Sequence, residues 1–316
     1  MSPSREIGYD KPLFVQPFDH RGSFKKKFFG IADDWTVDPS ADQFTPILET
    51  KTIVYRGLLA AIDLGVSPEH VGILVDSEFG LHIQADARRR GIPVASCIEK
   101  SGQPVFDFEY GVRWQDHIRF VDPDIVKVLV RHHPADPERE RVEQMARLKE
   151  VSDFLHGRDR RPFMFELLLP ATTEEEKAAG ERYDKELRAG RMIEAIRELQ
   201  GFGIEPDIWK LEGLDTADQA RAVAEAARSG RTAAGASRAK VGCIVLGRGS
   251  DEAQVHRWLA TAAPVSGWIG FAVGRTNFAE PVKRFIADRS TERRAIEEIA
   301  RNYKECVDVW RQAAGR

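Results

Sequence analysis

Eight short runs rich in Val, Ile, Leu and Phe punctuate this chain, and a longer stretch separates each from the next. They cover residues 13–19, 71–76, 94–99, 125–131, 163–169, 205–213, 241–246 and 267–273. Runs of this length and composition, bounded by Gly, Pro and Asp, read as strands buried on both faces. A hairpin needs two strands a few residues apart, and no such pair occurs here. Strands that alternate with helices build a parallel sheet. Eight such units in 316 residues, somewhat above the ~250 typical of the closed form, predict a single (β/α)8 TIM barrel over residues 1–316. A two-domain doubly wound sheet is the alternative, but no linker divides the chain.

The connections carry their own signals. The first is unusually long: a short helix over 23–29, a loop over 36–42, and a helix over 44–64 stopped at Gly65. Further helices are expected over 82–90 and 138–155. Thr172 and Thr173, followed by Glu174, Glu175 and Glu176, place capping hydroxyls and acids at the start of a long helix reaching Leu199. Another helix covers 216–228, a Ser/Gly/Ala/Thr-rich loop covers 229–237, and the last helix begins at Ser290. Its Ile296, Ile299, Tyr303, Val307 and Trp310 recur at helical spacing.

Composition narrows the function classes. The chain is 42% hydrophobic and 31% charged, with a net charge of −3 and a pI near 6.3. No basic surface recommends nucleic acid, and the runs Lys25-Lys26-Lys27 and Arg88-Arg89-Arg90 read as solvated helix faces. No apolar run approaches the ~20 residues that span a bilayer, so no membrane partner is expected. Cys97, Cys243 and Cys306 lack metal-ligand spacing and fit a reducing compartment. No signal peptide opens the chain, and the cytoplasm is the expected location.

In such barrels chemistry gathers at the C-terminal strand ends. Here those ends supply Asp19 and Arg21, Asp76, Glu99 and Lys100, Lys127 and Arg131, Glu166, Lys210 and Glu212, Arg248 and Arg275. Side chains alternate along a strand, so Ile208, Lys210 and Glu212 share one face while Trp209 and Leu211 share the other. The same parity puts Lys127 on the face of Ile125 and Leu129, and Glu166 on that of Met164 and Leu168. Alternate strands feed one interior layer, so Lys127 and Lys210 can approach each other with Glu166 on the strand between. A buried ammonium must be paired or lose its proton. A neighbouring cation and desolvation both lower a lysine's pKa, freeing an amine to attack a carbonyl, and a carboxylate can shuttle protons. Schiff-base chemistry is one reading; a purely structural Lys–Glu–Lys network is the other.

Gly247-Arg248-Gly249 and Gly274-Arg275 follow the last two strands and open toward helix N-termini. Exposed backbone amides and the positive end of a helix dipole hold phosphate at this place in the fold. No third glycine completes a dinucleotide fingerprint. His20, His132 and His133 have no i, i+4 spacing, so a metal-dependent route is the less favoured one and no cofactor is expected.

These residues also carry a resemblance. Phe18-Asp19-His20-Arg21-Gly22, Leu74-Val75-Asp76-Ser77-Glu78-Phe79-Gly80, Glu99-Lys100-Ser101-Gly102, Val126-Lys127-Val128-Leu129, Phe165-Glu166, Ile208-Trp209-Lys210-Leu211-Glu212 and Val273-Gly274-Arg275 together resemble the class I tagatose-bisphosphate aldolase group. More closely, they look like the aldolase-like domain fused behind 5-dehydro-2-deoxygluconokinase in bacterial inositol catabolism. The resemblance implies a metal-independent lyase in which Lys210 forms the imine, Glu166 is the acid/base and Lys127 supports them. It also implies that Arg275, with the turn Gly247, Arg248, Gly249 and with Gly274, holds phosphate. No kinase accompanies the motifs, so a stand-alone version is expected. Strand four ends in Arg131-His132-His133, where the tagatose enzymes carry a Tyr-Tyr-Asp type of ending. A basic ending suits a carboxylate, with Arg131, His132 and Lys100 as its partners. That favours 2-deoxy-5-keto-gluconate 6-phosphate, a phosphorylated keto-sugar acid, cleaved to dihydroxyacetone phosphate and malonate semialdehyde. Asp19, Arg21, Asp76, Glu99 and Glu212 complete the expected substrate contacts. The competing readings are a class I aldolase on another ketose phosphate (tagatose or fructose bisphosphate, or a sulfo-sugar phosphate) and a non-catalytic sugar-phosphate-binding barrel. A homo-oligomer is compatible with the chain.

Overall fold

The computed structural model describes residues 7–31, 42 and 44–315. Its eight strands are β1 (Leu13–Pro17), β2 (Val71–Leu74), β3 (Val94–Cys97), β4 (Ile125–Arg131), β5 (Phe163–Leu168), β6 (Ile208–Glu212), β7 (Gly242–Leu246) and β8 (Trp268–Ala272). They pair in chain order, all parallel, and β1 closes on β8. The expected (β/α)8 barrel is therefore the fold.

Parity along the strands separates two cores. Leu13, Val15, Leu74, Ala95, Ile125, Met164, Ile208, Ile244 and Ala272 fill the barrel interior. The alternate residues, among them Phe14, Phe165, Trp209 and Phe271, face outward into the larger core under the helices. Trp209 is fully buried there with its ring 5.0 Å from that of Phe165. Putting Trp209 outside places Lys210 inside, and the register pairs Lys210 with Glu166 across β5 and β6. Toward the strand ends the interior turns from aliphatic to charged, which is where the fold presents its chemistry.

The connections differ from expectation in four places. A helix at Trp114–Val121 covers the link between β3 and β4, where none was expected. Its buried face, Trp114, His117, Ile118 and Val121, has helical spacing over only eight residues, which the sequence reading passed over. The helix expected from Thr173 to Leu199 is broken into Thr173–Ala179, a 3-10 turn Gly180–Arg182, a π turn Tyr183–Leu187 and a helix Arg188–Gly201. Gly180 has φ +51°, a conformation that ends the first segment at little steric cost. The helix after β8 spans Arg275–Ala287, ahead of the final helix Glu292–Ala313. The short helix expected over 23–29 is a three-residue turn running into a π turn, Lys25–Phe29. Most of the loop expected over 36–42 lies outside the described residues. Among the described residues no helix is long and apolar enough to cross a membrane.

Barrel closure is sterically tight at Gly270. A Cβ there would lie 1.9 Å from the Leu13 carbonyl oxygen on the partner strand. Gly270→Ala should therefore lower the unfolding free energy by about 1–3 kcal/mol or more, read as a lower urea midpoint. Gly72→Ala, whose Cβ would meet nothing nearer than Leu13 Cδ1 at 3.4 Å, should change the midpoint little.

Candidate active site

Lys127 is fully buried, and its ammonium meets three carboxylates: Asp19 Oδ2 at 2.8 Å, Glu99 Oε1 at 2.9 Å and Glu166 Oε2 at 2.8 Å. An ammonium has three protons, so this one is saturated. The carboxylates come from the ends of β1 and β3 and from β5, which the barrel brings around one axis. Burial alone would lower the Lys127 pKa, but Asp19, Glu166 and Glu99 outweigh it and raise the pKa well above the ordinary lysine value. Burial likewise opposes ionisation of Asp19 and Glu166, yet Lys127 and Lys210 hold both below the usual carboxylate range. Glu99 goes the other way: burial prevails over Lys127 and Arg21 and raises its pKa.

Lys210 pairs with the other oxygen of Glu166, Oε1, at 2.8 Å. Glu166 thus bridges the two lysines, one oxygen to each. Sequence parity had predicted that the three would meet. It had also cast Lys127 as a bare neighbouring cation, whereas its charge is matched by three carboxylates.

Two cavities open above this cluster. One, of about 490 Å³, is bordered by Lys210, Glu166, Glu212, Gly247, Arg248, Gly249, Gly274 and Arg275 among others. The second, of about 340 Å³, is bordered by Asp19, Arg21, Glu99, Lys100, Lys127, Arg131 and Glu166 among others. His20, Ser23, Leu129, Arg131 and Glu166 border both, so the two form a continuous cleft with one basic group of residues at each end.

At the first end, Gly274 caps the helix Arg275–Ala287. Arg248 and Gly249 both take positive φ, 50° and 78°, which turns the β7 loop sharply. Without a side chain, Gly249 lets the Arg275 guanidinium approach: a Cβ there would lie 3.1 Å from it. Arg248 is already engaged, paired with Asp184 and 3.6 Å from Glu212, with its guanidinium over the Trp258 ring. Glu212 also receives Arg188, and burial raises its pKa in spite of both arginines.

Not every expected residue reaches the cleft. Asp76 borders neither cavity; it caps the helix Ser77–Arg89 through Phe79 N at 2.8 Å and pairs with the buried Lys51. His132 also borders neither. Its Nε2 lies 2.9 Å from Glu198 and its Nδ1 2.9 Å from Gln144, behind the barrel wall. Arg21 borders the second cavity but spends its guanidinium on Glu109, at 2.7 Å, and on the Glu99 carbonyl. Sequence reasoning missed Asp184 and Arg188, whose positions depend on the break at Gly180. It weighed His20 only as a metal ligand. It also passed over Lys51, a lone lysine on the apolar face of Phe44–Asp63 that donates to the Phe18 and His20 carbonyls at 2.9 and 3.1 Å.

Among the described residues two groups bring three metal-type ligand atoms within 4.8 Å of one another. Glu252, His256 and Glu305 lie on the outer helices. Asp19, Cys97 and Glu99 lie in the cleft, where the Lys127 ammonium already sits on both carboxylates and burial keeps the Cys97 thiol protonated.

Removal of Lys127 should be costly. Lys127→Met removes the ammonium that three buried carboxylates share, leaving Glu166 with Lys210 alone and Glu99 with Arg21 at 3.9 Å, a loss of about 3–5 kcal/mol at neutral pH. In the native protein, Asp19 and Glu166 contribute stability that is present above the usual carboxylate pKa and lost as pH falls through their lowered folded values. Without Lys127 those values should rise, so the variant gains relative stability as pH falls. Urea unfolding should show the gap between the two proteins narrowing from pH 7 to about pH 4.5.

A family model described as "Uncharacterized protein conserved in bacteria (DUF2090)" matches residues 5–314. No curated protein sequence matches the chain. Among solved structures, a fructose-bisphosphate aldolase from Plasmodium falciparum superposes with a TM-score of 0.62 at 12% identity, covering 96% of this chain and 91% of that one. An archaeal fructose-1,6-bisphosphate aldolase, solved with its catalytic Lys covalently bound to the carbinolamine intermediate, gives 0.54 at 11% identity, covering 94% and 93%. Cgl0159 from Corynebacterium glutamicum gives 0.54 at 16% identity, covering 94% and 87%. At these identities the likeness is one of fold.

Proposed function

The chain belongs to the family of uncharacterized proteins conserved in bacteria (DUF2090), and we propose that it is a class I aldolase acting on a phosphorylated keto-sugar acid, with Lys210 as the imine-forming residue. The observation that carries this reading is the asymmetry of the two interior lysines. Lys127 is saturated by three carboxylates, whereas Lys210 is paired with Glu166 and borders the larger cavity. An amine that can pass a proton to an adjacent carboxylate can add to a carbonyl; one locked among three anions cannot.

The substrate favoured is 2-deoxy-5-keto-gluconate 6-phosphate. Its phosphate would lie against Gly247, Gly249, Gly274 and Arg275, and its carboxylate near Arg131, where the two cavities join, and Lys100 in the second. Lys210 adds to the C5 ketone, and loss of water gives the iminium. Glu166 accepts the C3 hydroxyl proton as the C3–C4 bond breaks, and its electron pair passes into the iminium to give an enamine. Malonate semialdehyde leaves. Protonation of the enamine at C4 and hydrolysis of the imine then release dihydroxyacetone phosphate and restore the amine. Lys127 fixes Glu166 and holds Asp19 and Glu99 in place throughout. The two remote fructose-bisphosphate aldolase structures support the fold's suitability for this chemistry.

Incubation with dihydroxyacetone phosphate and sodium borohydride should leave a stable secondary amine on Lys210 and none on Lys127, read by peptide mass mapping. Lys210→Met should abolish adduct and turnover together. An adduct on Lys127 would exchange the two roles. Absence of any adduct in a protein that still binds dihydroxyacetone phosphate would favour a non-catalytic sugar-phosphate-binding barrel.

Arg275→Ala should raise KM for the phosphorylated substrate roughly tenfold or more, since a charged hydrogen bond contributes ~1.5–3 kcal/mol, and inorganic phosphate should compete at the same site. Unchanged kinetics would place the phosphate elsewhere. Equal turnover of a bisphosphate ketose would keep the reaction class and overturn the choice of substrate.

A further inference from the structure

Among the polar side chains of the cleft, the reaction scheme gives His20 no task. His20 follows Asp19 at the end of β1 and borders both cavities, as Glu166 does. Its backbone is fixed, because the buried Lys51 donates to its carbonyl at 3.1 Å and is itself tied to Asp76. Its ring is less constrained: Nδ1 is buried without a hydrogen-bond partner. Burial pushes the imidazole pKa down to about 4, with Arg275 and Lys210 adding to the effect and Asp19 and Glu166 opposing it. At neutral pH the ring therefore offers one donor and one acceptor, and no protein partner at Nδ1 dictates which nitrogen holds the proton.

A ketose phosphate lying in this cleft must pass His20 where it crosses from one cavity to the other. With its phosphate at Arg275 and its carbonyl carbon at Lys210, the next atom toward the second cavity is the hydroxyl-bearing carbon adjacent to the imine. We infer that His20 is a specificity-determining residue that hydrogen-bonds the hydroxyl on this carbon. The inference rests on the imine reading above. A site built to hydrogen-bond a hydroxyl discriminates strongly against the analogue lacking it, because its own buried polar group is then left unpaired. His20 would thus select α-hydroxy ketones over simple ketones bearing the same phosphate.

Dihydroxyacetone phosphate and hydroxyacetone phosphate (CH3–CO–CH2–O–phosphate) differ only in that hydroxyl. Borohydride trapping at Lys210, followed against ligand concentration, gives a half-saturating value for each. The native protein should need at least about tenfold more of the deoxy compound, the effect of one lost hydrogen bond of this kind. His20→Ala and His20→Leu should shrink that ratio to within about twofold, chiefly by weakening dihydroxyacetone phosphate. His20→Gln, which keeps a donor and an acceptor, should retain part of it. A general loosening of the site would raise both values and keep the ratio, and that result in either the Ala or the Leu variant would overturn the inference. So would a native protein that traps the two ligands equally well. A native protein that traps neither would overturn the imine reading itself, and the role of His20 with it.

Discussion

A buried ammonium organises the C-terminal mouth of this barrel. Lys127 has no contact with solvent, and its three protons are met by Asp19, Glu99 and Glu166 within 2.9 Å. Those carboxylates belong to elements far apart in the chain; without the lysine Asp19 and Glu99 would lose their close cation and Glu166 would keep only Lys210. The ion cluster therefore ties the ends of β1, β3, β4 and β5 to one point. It also fixes the carboxylate that Lys210 faces. A carboxylate held between two ammonium groups has little positional freedom.

Around this cluster charge is arranged unevenly. One side of Glu166 faces a saturated cation; the other faces Lys210, which borders open volume. The arginines show the same division. Arg21, Arg188 and Arg248 are tied to Glu109, Glu212 and Asp184, while Arg275 lies across Gly249, close to the helix N-terminus that Gly274 opens. Groups bound in ion pairs hold shape, and the groups left facing the cleft are the ones a ligand meets. The cleft thus has an amine, a bridging carboxylate and an imidazole between two basic ends.

The strap formed by Asp184 and Arg188 shows how a local chain feature shapes the site. Gly180 ends one helix, a π turn follows, and the displaced segment carries Asp184 to Arg248 and Arg188 to Glu212. Had the helix run on unbroken from Thr173, these two side chains would have followed its regular 3.6-residue turn rather than the β7 loop. A glycine far from the cleft in sequence thereby sets which arginine there is paired.

Much of this protein was legible in its sequence, because strands and helices are set by local periodicity and end signals. The eight apolar runs, their parity and the absence of hairpins determined a parallel barrel, put Trp209 outward and brought Lys127, Glu166 and Lys210 together. The glycine turns after β7 and β8, also visible in the sequence, border the cleft. What sequence could not determine were quantities that depend on distances between remote segments. That Lys127 is saturated rather than a bare cation requires Asp19 and Glu99 to arrive from β1 and β3. That Asp76 turns to Lys51, and His132 to Glu198, depends on how helices pack behind the wall. His20 acquires its position between two cavities only when the barrel closes. Pattern along a chain fixes which face a side chain takes; only tertiary packing decides which charges it meets there.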